Sequence, residues 1–163
     1  GLIIDVRDNG GGFIEVMLDT LGLFADGGSI GSSASRRTRE ELTIPAGQLV
    51  PGLEDVPLAV LIGAGTASAA EMFAAGMRAR ERATLVGVTS AGNTENLVLH
   101  NFGDGSRLWL AEYAYRQPDG SLIEDVGVLP DLPVDAQWWR FAPEDDPQVV
   151  AALAALARAA APR

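Results

Sequence analysis

Serine 68 stands where a short apolar run gives way to small residues and then to helical spacing, in Gly63-Ala64-Gly65-Thr66-Ala67-Ser68-Ala69-Ala70-Glu71. A strand ending there and a helix starting there would expose the hydroxyl beside backbone N–H groups that have no partner within the helix. Such N–H groups, with the helix dipole, stabilise a negatively charged oxygen. The small residues let another backbone come close. The same letters have a second meaning. Serine followed three residues later by glutamate, as Ser68 and Glu71 are, is the signature of a capping box, and on pattern alone capping is the commoner use. A glycine-rich turn, Arg7-Asp8-Asn9-Gly10-Gly11-Gly12, also joins a strand to a helix. It lacks the G-x-G-x-x-G spacing that would make it a dinucleotide fingerprint.

Composition narrows the chemistry. The chain has 163 residues, a formal net charge of −10 and 47% apolar residues, which suits one globular domain, and the order of elements set out below argues for an α/β one. An acidic surface repels phosphate backbones, so nucleic acid is not expected as a partner. The acidity itself needs no reading beyond solubility. With one histidine and no cysteine, a catalytic zinc lacks its usual ligands. Glu144, Asp145 and Asp146 read as a charged helix start rather than a calcium loop. No metal or other cofactor is expected, and no apolar run is long enough for a transmembrane segment. All 12 cationic side chains are arginine, so the chain has no lysine.

The elements that must position Ser68 follow from periodicity. Residues 2–6 and 58–62 are short apolar runs ending in turns, as buried parallel strands do. Residues 83–86 form a third. Residues 13–24 and 68–80 carry helical spacing. The polar stretch 32–44 suits an exposed strand or hairpin. Residues 96–102 and 106–111 flank Gly103-Asp104-Gly105, a hairpin signal, and Gln117-Pro118-Asp119-Gly120 is a second turn of that kind. Asp146 before Pro147 marks the start of a final helix reaching about Ala161. Trp138 and Trp139 read as packing anchors for it. The chain opens on a strand, with neither an initiator methionine nor a signal peptide, which suggests upstream helical or peptide-binding segments.

In this order the motifs resemble the carboxyl-terminal processing, or tail-specific, serine peptidases, with some likeness to tricorn-type and interphotoreceptor retinoid-binding relatives. Residues 1–12 resemble the family's strand and glycine turn, with Gly10 where a proline usually stands. Residues 65–71 resemble its nucleophile motif and residues 82–87 the strand behind the nucleophile helix. Asp104-Gly105-Ser106 and Pro118-Asp119-Gly120 resemble its hairpin turns, and Gly127-Val128-Leu129-Pro130-Asp131 its closing motif. The resemblance implies a Clp-protease/crotonase-like fold: stacked strand-strand-helix units, a mostly parallel sheet and additional hairpins, with residues 1–163 as one peptidase core domain. It implies polypeptide substrates cleaved at or near C-terminal tails, a periplasmic or extracytoplasmic setting, Ser68 as nucleophile, and an oxyanion hole from the amides of Ala69 and Gly11.

One part of the pattern is broken. In most of the family a lysine 25 residues after the serine takes its proton, and that position here is Asn93. Three readings stay open. A histidine from outside the chain is the base, as in tricorn-type relatives, with Glu124 holding the serine–histidine network. Alternatively His100 is the base, against the plainer reading of a hairpin residue remote from the nucleophile. Or no base remains, and the fold binds peptides or apolar ligands without hydrolysis.

Overall fold

The most apolar segment organises the molecule. A computed structural model describes residues 1–160. In it β4, Leu58–Ile62, is buried at every residue. It lies between β1 (Leu2–Asp5) and β5 (Thr84–Gly87), pairing with both in parallel, and β5 pairs in turn with β8 (Leu132–Pro133). Strand alternation sends Leu58, Val60 and Ile62 into one core and Ala59 and Leu61 into another. Both faces of the sheet are therefore covered, the condition under which parallel sheets are stable.

The larger core holds the helices that matter for Ser68. Helix α1 (Ile14–Gly22) contributes Met17 and Leu21, and α2 (Ala69–Ala79) contributes Ala70, Phe73, Ala74 and Met77. The smaller core packs α3 (Pro147–Ala159) on the other face through Ala152 and Leu156. Asp146 caps α3 by accepting the Gln148 N–H at 2.8 Å, with Pro147 at the first helical position.

A second sheet is antiparallel, in the order β3 (Arg39–Thr43), β2 (Ser29–Ala34), β7 (Arg107–Arg116), β6 (Asn96–Asn101). It joins the larger core through Ile30, Leu42 and Tyr115, whose hydroxyl donates to the Ile30 carbonyl at 2.6 Å. The architecture is the expected α/β one, a parallel sheet with added hairpins. The polar stretch 32–44 forms the hairpin β2–β3. Two elements differ from expectation. β7 runs to Arg116 because it pairs with β2 as well as β6. β8 was not expected as a strand; two residues with a proline suit only a sheet edge, which is where it lies. The expected end of the last helix at Ala161 lies outside the described residues.

Candidate active site

Ser68 sits at the bend between β4 and α2 with φ +54° and ψ −126°. Few non-glycine residues hold such a conformation, and keeping it costs roughly 1–3 kcal/mol. The cost is offset by a dense set of hydrogen bonds around the bend. Thr66, fully buried, donates its hydroxyl to the Val6 carbonyl at 2.7 Å and accepts the Gly63 N–H at 3.0 Å. The Ala67 N–H reaches the Asn9 carbonyl at 3.0 Å, and the Ser68 N–H reaches the Asn93 carbonyl at 2.7 Å. The bend is thus tied on one side to the end of β1 and on the other to the turn after β5.

Glu71 completes the arrangement. The side chain is fully buried, one helical turn past Ser68, and its carboxylate accepts four hydrogen bonds. Oε1 takes the Ser90 hydroxyl at 2.5 Å and the Gly92 N–H at 2.7 Å. Oε2 takes the Asn93 N–H at 2.9 Å and the Ser68 N–H at 3.1 Å. The two ends of a capping box do face each other here, but the Ser68 hydroxyl makes no side-chain cap hydrogen bond of full geometry. The glutamate therefore does more than cap: it fastens the turn at 90–93 to the serine bend. Sequence reasoning saw Glu71 only as a capping partner. The signal it missed was long-range, because the donors at Ser90, Gly92 and Asn93 lie about twenty residues away.

The other expected residues fall around this centre. The Ala69 N–H, the first of α2, meets no acceptor among the described residues. Gly11 lies against the bend with φ +97°. A Cβ there would stand 2.7 Å from Ser68 Cβ and 2.9 Å from the Ala69 nitrogen, so only glycine fits. Its N–H, however, donates to Asn9 Oδ1 at 2.9 Å. Asn93 touches Ser68 through its main chain and is exposed. Glu124 accepts the Thr94 N–H at 2.6 Å and the Thr94 hydroxyl at 3.0 Å, one residue beyond Asn93. It braces at Thr94 the same turn that Glu71 holds at Ser90, Gly92 and Asn93. The Val128 N–H reaches the Ser90 hydroxyl at 2.6 Å, bringing the closing motif into the same network.

His100 is engaged elsewhere: on β6, its Nε2 lies 2.6 Å from Glu112 of β7. Trp138 lies over the Arg7 guanidinium at 4.0 Å, while Trp139 is largely exposed. Arg7 is buried and bonds to Asp5, Asp146 and Gln148, joining the end of β1 to the cap of α3. Burial pushes the Asp5 carboxyl up, but the hydrogen bonds and charge of Arg7 outweigh this and hold it below the usual carboxylate range. An apolar cavity of about 330 Å³ opens beside Gly11 and Ala69. Among the described residues no group of three or more acidic, histidine or cysteine side chains is placed to hold a metal.

A half-buried serine on a strained bend, an unpaired amide beside it and a glycine backbone pressed against both form an arrangement that can support acyl transfer. Residues 1–134 match the profile of Peptidase family S41. A carboxyl-terminal-processing protease of Synechocystis sp. is 31% identical over 156 residues, covering 96% of this chain and 36% of that protein. The photosystem II D1 C-terminal processing protease superposes with a TM-score of 0.77 at 27% identity, over 91% of this chain and 37% of its own. The tricorn protease shares the fold, with a TM-score of 0.63 at 24% identity over 98% of this chain and 15% of its own. The chain thus spans about a third of the length of its carboxyl-terminal-processing relatives. With the family match covering most of its length, it belongs to Peptidase family S41.

Proposed function

We propose that residues 1–163 form one catalytic core domain of a serine endopeptidase acting on C-terminal tails or unstructured polypeptides. The supporting observation is the strained, half-buried Ser68 beside the unpaired Ala69 N–H. Ser68 Oγ attacks the scissile carbonyl, forming an ester and releasing the amine-bearing fragment; water then hydrolyses the ester. The Ala69 N–H receives the developing oxyanion, and the substrate oxygen competes with Asn9 Oδ1 for the Gly11 N–H. Glu71 and Glu124 act as positioning residues on the turn at 90–94. The general base is not a lysine of this chain, because Asn93 holds that place and an amide cannot take the proton at neutral pH. A histidine supplied from another part of a longer polypeptide fits the requirement.

A second reading has its own observation: Ser68 Oγ has no basic partner among the described residues. The site would then hold peptides without cleaving them. The intact protein treated with a fluorophosphonate probe separates the two. Labelling that Ser68→Ala abolishes supports the peptidase. Absence of both labelling and peptide hydrolysis leaves the binding module.

A further inference from the structure

We propose that the free edge of β6 pairs antiparallel with β6 of a second copy of this chain, joining two second sheets across a two-fold axis at Val98.

β6 ends the sheet on one side and is bonded to β7 alone. The hairpin closes with the Phe102 N–H on the Ser106 carbonyl at 3.0 Å. Antiparallel alternation from that pair turns the backbone groups of His100 and Val98 toward β7, and those of Leu97, Leu99 and Asn101 outward. A row of unpaired N–H and C=O groups is a template for another strand, and proteins guard such edges with charge, proline or a cover. The opposite edge of the same sheet is guarded: β3 carries Arg39, Glu40 and Glu41. β6 reads Asn96-Leu97-Val98-Leu99-His100-Asn101, without a carboxylate, an arginine or a proline. Its register shift against β7, between Asn96 and Leu97, lies at its first residues.

Both faces beside this edge are apolar and open. Leu97 and Leu99 share a face with Trp109, and Val98 shares the other with Leu108 and Leu110. Leu97 is 52% and Trp109 61% exposed, and Leu108 and Leu110 are exposed as well. Apolar side chains grouped on both sides of an unpaired edge are what an added strand would cover.

The edge is complementary to itself. A two-fold axis perpendicular to the sheet keeps each face on its own side. With Val98 on the partner's Val98, Leu97 stands opposite the partner's Leu99, and the two can exchange both backbone hydrogen bonds because both point outward. Asn101 then stands opposite the partner's Glu95. Arg107, which pairs with Asn101 on β7, comes within side-chain reach of that carboxylate. Arg107 and Glu95 are exposed, and neither has an ion-pair partner among the described residues. Centring the pair on Leu99 instead sets Val98 against the partner's His100 and loses the ion pair. In a chain of net charge −10, opposite charges meeting across the axis favour a second copy over an arbitrary extended peptide.

The test is the mass of the intact protein, by sedimentation equilibrium and light scattering. The range is about 1–200 µM, because one strand pair falls short of the roughly 800 Å² per partner of a tight complex. A concentration-dependent dimer is expected. Val98→Lys sets like charges face to face on the axis, and Leu97→Pro removes an outward N–H that β7 does not use; each should weaken the dimer about tenfold or more. Circular dichroism of both variants checks the fold, and Leu97, exposed on an edge, keeps the test open if Val98→Lys does not fold. Arg107→Glu should weaken association several-fold, and adding Glu95→Arg should restore it. A monomer throughout the range would overturn the proposal. So would a dimer indifferent to both Val98→Lys and Leu97→Pro, or one that the charge exchange fails to restore. A monomer that binds unstructured peptides, and loses them in Leu97→Pro, would assign the edge to a peptide strand and overturn the dimer.

Discussion

A carboxylate sealed from water must find its hydrogen bonds inside the protein, and Glu71 finds four, all from the serine bend and the turn at 90–93. In Glu71→Gln the amide nitrogen must replace an oxygen that accepts two of those donors. The variant should lose about 1–3 kcal/mol of stability, measured by urea unfolding. Because the glutamate acts by placing Ser68, kcat should fall more than KM rises. Asn93 offers the opposite experiment. Its carbonyl accepts the Ser68 N–H and its own N–H donates to Glu71 while the residue is exposed, so a longer side chain there has room. Asn93→Lys should leave the melting temperature nearly unchanged and raise fluorophosphonate labelling of Ser68 by about a hundredfold or more. The rate should climb with pH as the new amine loses its proton. An unchanged labelling rate would show that a side chain at 93 does not reach the hydroxyl.

Between elements, the main electrostatic joint is Arg7. It links β1 to the cap of α3 through the buried Asp146 and carries Trp138 on its face. Arg7→Leu leaves Asp146 buried without its cation, and a loss of roughly 3–5 kcal/mol is expected in thermal or urea unfolding. Asp5 adds a pH signature. Its folded-state pKa is lowered, so its contribution is complete above the ordinary aspartate value of about 3.9 and is lost as pH falls through the lower folded value. In Arg7→Leu that acid-side loss should vanish from the stability–pH curve. Most elements were legible from periodicity alone: β4 is an uninterrupted apolar run, and Asp146-Pro147 announces α3 by local cap chemistry. β8 was not legible, because two residues bearing a proline become a strand only by lying at the edge beside β5.

Across the whole molecule, stability should be graded by burial. β4 is covered on both faces and paired on both edges, and α3 packs directly over one of those faces. Backbone amides of β4 and β5 should exchange with solvent slowest, near the global unfolding limit. Those of the exposed turns at 36–38 and 103–106 should exchange fastest. Hydrogen-exchange mass spectrometry checks this, and early exchange in β4 would contradict it. The hairpin β6–β7 carries exposed Leu97, Leu108, Trp109 and Leu110, so the tip of the second sheet contributes little to the core.

The order of strands, helices and turns, the family resemblance and the position of Ser68 at the start of a helix all came from local patterns, because apolar periodicity and turn chemistry are written in neighbouring residues. Tertiary structure alone decided that Glu71 binds the turn at 90–93 and that Glu124 braces Thr94. It alone opened an apolar cavity beside the serine bend. Each of these depends on groups brought together by chain crossings between distant segments, and composition and spacing carry no record of such distances.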